Sequence, residues 1–352
     1  MKQNKIMVQE LYSLSAQKIV DDYLRISPSE RFFIITDKKR DFVYRISKAC
    51  LDYAEEKKIK AKIVFQKRKS FGPADSAVVR LFQNLQKNDC LFICLEGKMG
   101  NFYAKFQTGF RSIMRQKGAR FATMTGLQSL SNEDRLLKAI IIGSEEVREN
   151  GKKLKQLLDN AKKIELVGKS GTVIEANIEE RKAWFNSGEF FRPGTGGNLP
   201  AGNIDIFPIE GSVSGKVEID QSVKIEAETV VLKKPIEFVI ENGEIMQIHG
   251  EQYIVERLYN DLNNFSFINQ RAGFDPRGIF RISGISFGLL PLQPIGLNLM
   301  DERLLGIAAV SNGNSWGRGG RNKCRGHRDH LFWLDYVKID GEKFTVNALG
   351  KL

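Results

Sequence analysis

Arg31–Gln66 reads RFFIITDKKRDFVYRISKACLDYAEEKKIKAKIVFQ, and its grammar decides the fold of the first half of the chain. RFFIITD (31–37) is an apolar run rich in Phe and Ile, which suits a buried strand. DFVYRISKACLDYAEEKK then reads as a helix, and AKIVFQ as a second strand. Downstream the pattern repeats. ADSAVVRLFQNLQK is helical, CLFICLEG a strand, NFYAKFQTGFRSIMRQKG a helix and RFATMTG a strand. Strands alternating with helices predict a mostly parallel sheet wrapped by helices. The long polar-faced helix SEEVRENGKKLKQLLDNAKK (144–163) reads as a bridge between two domains, with the α/β domain placed at 1–163.

From residue 164 the pattern changes, and a β-rich α+β domain is expected over 164–352. IELVGKSGTVIEANI holds two strand-like runs, and GNIDIFPIEG and GKVEIDQSV look like further strands. IEFVIENGEIMQIHG carries a hairpin signal at Asn242-Gly243, and FWLDYVKIDGEKFTV closes the chain as another hairpin. One helix, QYIVERLYNDLNN, interrupts before GIFRISGISFGLL and DERLLGIAAVSNG. The glycine-rich run 194–202 does not open a helix and lacks a Lys-Ser/Thr ending. It is read as a tight turn feeding IDIFPIEG rather than as a phosphate loop.

Composition narrows the classes. The 352 residues exceed the size at which one core keeps growing, so two domains are expected. No apolar run approaches the roughly 20 residues that span a bilayer, and MKQNKIMVQELYSLSAQK has no signal-peptide core. Four cysteines in so long a chain make no disulfide framework, and a reducing cytoplasm is the expected compartment. Net charge is +12, which favours anionic partners. Much of the lysine lies scattered along helix faces, which argues against a nucleic-acid footprint. Arginine clusters instead, with Arg318, Arg321, Arg325 and Arg328 in one stretch and Arg271, Arg277 and Arg281 upstream. Guanidinium grips carboxylates in bidentate fashion, so the four arginines of the later stretch are candidate substrate-binding residues for a small acidic molecule or peptide.

That stretch also holds two of the three histidines, in R-G-H-R-D-H (325–330). A strand puts residues i and i+2 on one face, so His327 and Asp329 are candidate ligands of one metal ion. Imidazole with carboxylate suits zinc, manganese, cobalt or iron. His330 would point away from the pair, and Cys324 sits off their face; His249 reads as structural. Ser311–Lys323, SNGNSWGRGGRNK, is a long loop leading into the pair, either a lid or plain surface. Asp301 or Glu302 would add a metal ligand or a general base, with Glu302 the candidate catalytic residue; two solvated charges are the alternative.

The order of these motifs resembles the thermophilic-type metallo-aminopeptidases, the aminopeptidase T and leucyl-aminopeptidase-like group. GTVIEANIEERKAWFNSGEFFRPGTGGNLPAGNIDIFPIEGSVSGKVEID, which includes Arg181, is similar to the group's run up to an N-L-P-A-G-E-V-F-like strand. GLNLMDERLLGIAAVSNG, GGRNKCRGHRDH and VKIDG resemble its D-E, G-T-x-H-x-A, H-x-D and D-G ending. The resemblance covers most of the chain and implies a homodimeric hydrolase in which metal-activated water releases N-terminal residues from peptides. It places metal ligands at His327 and Asp329. It also exposes departures: Asn203 and Ala309 stand where the group has a glutamate and a histidine, and RISGISFG offers no acid. The fold is similar, too, to that of the 2,5-dihydroxypyridine dioxygenases, where one ferrous ion is held by two histidines and a carboxylate. A mononuclear dioxygenase acting on an acidic aromatic ring is therefore the alternative. A catalytically degenerate binder of an anionic ligand is the third.

Overall fold

The computed structural model describes residues 2–37, 41–128, 130–143, 145–226 and 228–352. Contacts gather the chain into two compact units. The first is Met1–Gly143 with Asn186–Ala201, and the second is Ser144–Phe185 with Gly202–Leu352. The chain changes unit three times, and residue 164 falls inside the second unit.

In the first unit a parallel sheet runs in the order Lys60–Phe65, Arg31–Thr36, Cys90–Leu95, Arg120–Thr125 and Gly196–Asn198. Every residue of Cys90–Leu95 is buried, as a central strand covered on both faces must be. Phe42–Glu56 buries Phe42, Val43, Ile46, Cys50 and Ala54, one stripe at helical spacing. Ile35, Phe82, Leu91, Ile93, Ile113 and Phe121 form the core beside that central strand.

Two local expectations are corrected here. The helix read over 101–118 is two pieces, Tyr103–Phe106 and Phe110–Lys117, because Gln107 takes a left-handed conformation at φ 55°. The glycine-rich run is more than a turn: after a turn at Gly194, Gly196–Asn198 is the edge strand of this sheet. A side chain at Gly196 or Gly197 would strike Phe121 or Phe190, and glycine permits that close approach.

The second unit is built on a large sheet of antiparallel ladders. Its order is Glu244–His249, Ile236–Glu241, Ser214–Ile219, Val173–Asn177, Lys163–Gly168, His327–Ile339, Ile307–Gly313, Ile282–Gly288 and Asn203–Ile206. The α/β-then-β-rich class is as the sequence predicts. Asn242 and Gly243, at φ 48° and 74°, make the hairpin turn. The long polar-faced helix runs Glu145–Asn160 and belongs to the second unit, with Ser144 outside the described residues. The helix read as QYIVERLYNDLNN continues to Arg271, 20 residues in all, since FSFINQR contains no breaker.

His327–Ile339 is the long strand that positions the site. Its first half pairs with Ile307–Gly313 and its second half with Lys163–Gly168. All four cysteines are buried and free. No helix among the described residues is long and apolar enough to cross a membrane.

Candidate metal and anion site

Register brings the motif residues onto one side of the sheet. Asp329 is opposite Ser311 and His327 opposite Gly313. Ser286 is opposite both Ala309 and Asp205, and Asn203 is opposite Gly288. Residues two apart share a face, so Asn203, Asp205, Ser286, Ala309, Ser311, His327 and Asp329 line the same surface.

On that surface His327 Nε2 lies 3.1 Å from Asp329 Oδ1. The Ser311 hydroxyl donates to the same carboxylate oxygen at 2.6 Å. Asp329 is held well below the usual carboxylate range: burial pushes up, but His327, Ser311 and Arg318 outweigh it. The Arg318 guanidinium Nη1 is 3.5 Å from His327 Nε2. Ser283 Oγ is 3.5 Å from the other ring nitrogen, Nδ1. A bulge between Ile282 and Gly284 interrupts the strict alternation of that strand.

Carboxylates crowd the surface. Asp205 is pushed up to about 7, first by burial, then by the negative charges of Glu302 and Asp329. Asn203 Nδ2 donates to Asp205 Oδ1 at 3.0 Å. Glu302 is also raised, by burial above all. Both its oxygens are engaged: Arg303 donates to Oε1 and Asn298 Nδ2 to Oε2 at 3.0 Å. Arg303 is itself almost wholly buried. Asp301 accepts backbone N–H groups of Ile295 and Gly296 at 2.9 and 2.8 Å and Gln221 Nε2 at 3.1 Å. It therefore ties down the Ile295–Gly296 backbone, and neither acid of the pair is a solvated charge.

The four clustered arginines separate. Only Arg318 stands at His327. Arg328 turns to the opposite face, where it meets Asp261 of the Gln252–Arg271 helix at 2.7 and 2.9 Å. Arg325 lies over the Phe274 ring, 5.4 Å from its centroid. Arg321 borders a separate cavity. His330 is buried on the Arg328 face, with Nε2 2.9 Å from Asn312 Oδ1, and its ring edge meets Phe238. The loop into the site is pinned rather than loose. Buried Asn322 donates from Nδ2 to Gly278 O and Gly313 O at 2.7 and 2.6 Å.

Sequence reasoning missed Asp205 and Ser311. Both were within reach, since Asp205 lies two residues beyond Asn203 on a strand and Ser311 opens the quoted loop. Among the described residues no three of His, Cys, Asp and Glu converge as a metal cluster.

A family model described as 2,5-dihydroxypyridine 5,6-dioxygenase matches residues 105–294. That span contains the Asn203–Ile206 and Ile282–Gly288 strands and stops short of His327. No curated protein sequence matches. Among solved structures, 2,5-dihydroxypyridine dioxygenase from Pseudomonas putida aligns over 96% of this chain and 95% of that one. The TM-score is 0.71, at 19% identity. Wild-type AmpT from Thermus thermophilus aligns over 97% of both chains, with TM-score 0.62 and 13% identity. At these identities the two structures establish a shared fold.

Proposed function

Since the chain belongs to the family described as 2,5-dihydroxypyridine 5,6-dioxygenase, we propose that it is a metal-dependent oxygenase acting on an acidic aromatic ring. The observation that carries this reading is the grouping of His327, Asp329 and Arg318 at one face of the sheet.

The donor set fits one divalent ion in part. His327 Nε2 and Asp329 have the imidazole and carboxylate chemistry that ferrous iron accepts. A set of two histidines and one carboxylate needs one residue more, and none among the described residues joins them. His327 and Asp329 are thus the two residues that would hold the ion. When bound, a ferrous ion would supply the one-electron chemistry with dioxygen.

The protein's own groups supply orientation and charge. Ser311 fixes the Asp329 carboxylate, a kind of support that governs ligand geometry. Ser283 lies at Nδ1 and leaves Nε2 facing the site. The exposed Arg318 guanidinium is placed to receive a carboxylate or phenolate. Asp205, near 7, can exchange a proton with a ring hydroxyl at neutral pH.

The aminopeptidase reading is weaker. Two adjacent dications repel strongly and need several anionic ligands. Asn203 and Ala309 lie on the same face as His327 and supply an amide and a methyl group, and the Asn203 amide is spent on Asp205. AmpT supports the fold alone.

Anaerobic titration with ferrous iron, followed by oxygen uptake with 2,5-dihydroxypyridine and hydroxylated aromatic acids, tests the proposal. One equivalent of iron and substrate-dependent oxygen uptake are expected, with iron binding abolished in His327→Ala. Two equivalents of zinc, manganese or cobalt with release of an N-terminal leucine would overturn it for the peptidase. Protein that binds no metal but retains aromatic acids would overturn it for a non-catalytic binder.

A further inference from the structure

Away from His327, a cavity of about 500 Å³ is lined by Glu210, Asp275, Arg281, Arg321, Asn322 and Lys323 among others; His327, Asp329 and Arg318 are not in its wall. Its two acids are already engaged. Glu210 accepts from Arg181 Nη2 at 2.7 Å and from the backbone N–H of Arg321. Asp275 accepts from the Arg277 backbone and from Arg281 Nη2, at 2.9 and 2.5 Å. Both carboxyls are consequently held below their ordinary range, against the upward push of burial. Arg277 and Arg281 also share Glu244.

That leaves the heads of Arg321 and Lys323 without a carboxylate partner among the described residues. Their backbone is rigid. Asn322 and Cys324 point inward and are buried, while Arg321, Lys323 and Arg325 alternate outward. Ser315 N and Trp316 N both donate to Asn322 O, at 3.0 and 3.1 Å. Lys323 Nζ also sits 5.6 and 5.7 Å from the Trp316 and Phe274 ring centroids, which places an aromatic rim beside the two cations. Two cations without a carboxylate partner, carried on a fixed backbone at a cavity, attract an anion.

We propose that this cavity is a second binding site, separate from the His327 site, for a small anion carrying at least two negative charges. Phosphate esters and polycarboxylates share that chemistry. The test is calorimetric titration of the full chain with inorganic phosphate and with citrate, at fixed ionic strength set by sodium chloride. Saturable binding of at least one of them is expected, weakened at least tenfold in the double variant Arg321→Ser, Lys323→Ser and unchanged in His327→Ala. Preference for phosphate or for citrate identifies the headgroup. Absence of saturable binding, or binding that the double variant leaves intact, would overturn the proposal. Both substituted residues are exposed, and unchanged circular dichroism of the variant confirms that it folds.

Discussion

Arg328 and Asp261 are joined by paired hydrogen bonds of 2.7 and 2.9 Å, on the face of the sheet opposite His327 and Asp329. The Arg328 guanidinium also lies over the Phe265 ring, 4.5 Å from its centroid. The pair clamps the Gln252–Arg271 helix to the strand that presents the site, so the arginine between His327 and Asp329 acts from behind them.

Removing one partner of a buried, bidentate pair strands the other charge, at a cost of about 3–5 kcal/mol. Asp261→Ala is therefore expected to lower unfolding free energy by that order, measured by urea denaturation. A change below about 1 kcal/mol, the scale of an exposed pair, would show that the clamp does not hold.

Ser311→Ala removes the 2.6 Å bond to Asp329. A lost partner of a ligating carboxylate weakens metal affinity by about 10–100-fold. Ferrous-iron titration should show a loss in that range with little change in stability, and equal affinity would rule out the orienting role.

His330 gives the fold an acid limit. Burial, against the upward pull of Asp329 and with the help of the neighbouring Arg328 charge, brings its pKa down to about 3. In the unfolded chain it binds a proton below about 6.5, while the folded protein excludes it. Stability is therefore intact above about pH 6.5 and falls as pH drops toward 3, by roughly 5 kcal/mol in total at about 1.36 kcal/mol per unit. Urea midpoints between pH 7 and 4 should decline less steeply in His330→Gln than in the parent. Parallel declines would assign the acid limit to other groups.

Asp205 acts in the opposite sense. The unfolded carboxyl ionises near 3.9, and the folded one near 7. Between those values the folded state holds the extra proton, so this group's contribution to stability decreases as pH rises. Asp205→Asn should stabilise the protein at pH 8 by on the order of 2 kcal/mol, after allowance for its partial exposure, and leave pH 4 unaffected. The wild type and variant should show the same pH dependence only if Asp205 is ionised in the folded protein at pH 5.

Much of the architecture was legible in the chain itself, because strand and helix periodicities are local. RFFIITD, CLFICLEG and the Asn242-Gly243 hairpin each carry their own signal. The misreadings were local conflicts resolved by packing. Gly196–Asn198 carries no strand propensity, and it became an edge strand because two bare glycines fit beside Phe121 and Phe190. The 101–118 helix broke at Gln107, which nothing in its apolar spacing announced.

For the site, the sequence by itself determined that His327 and Asp329 share a face, since alternation along one strand needs no partner. It also determined that Asn203 and Ala309 offer an amide and a methyl group where a carboxylate and an imidazole would be needed. Only the tertiary structure decided which other residues meet that pair. Register across four strands brings Asp205 and Ser311 to the same surface, while a buried carboxylate on a distant helix claims Arg328 and a cavity claims Arg321. Arginines close in sequence part company because a strand turns alternate side chains to opposite faces, and each then meets charges that the fold alone has put there.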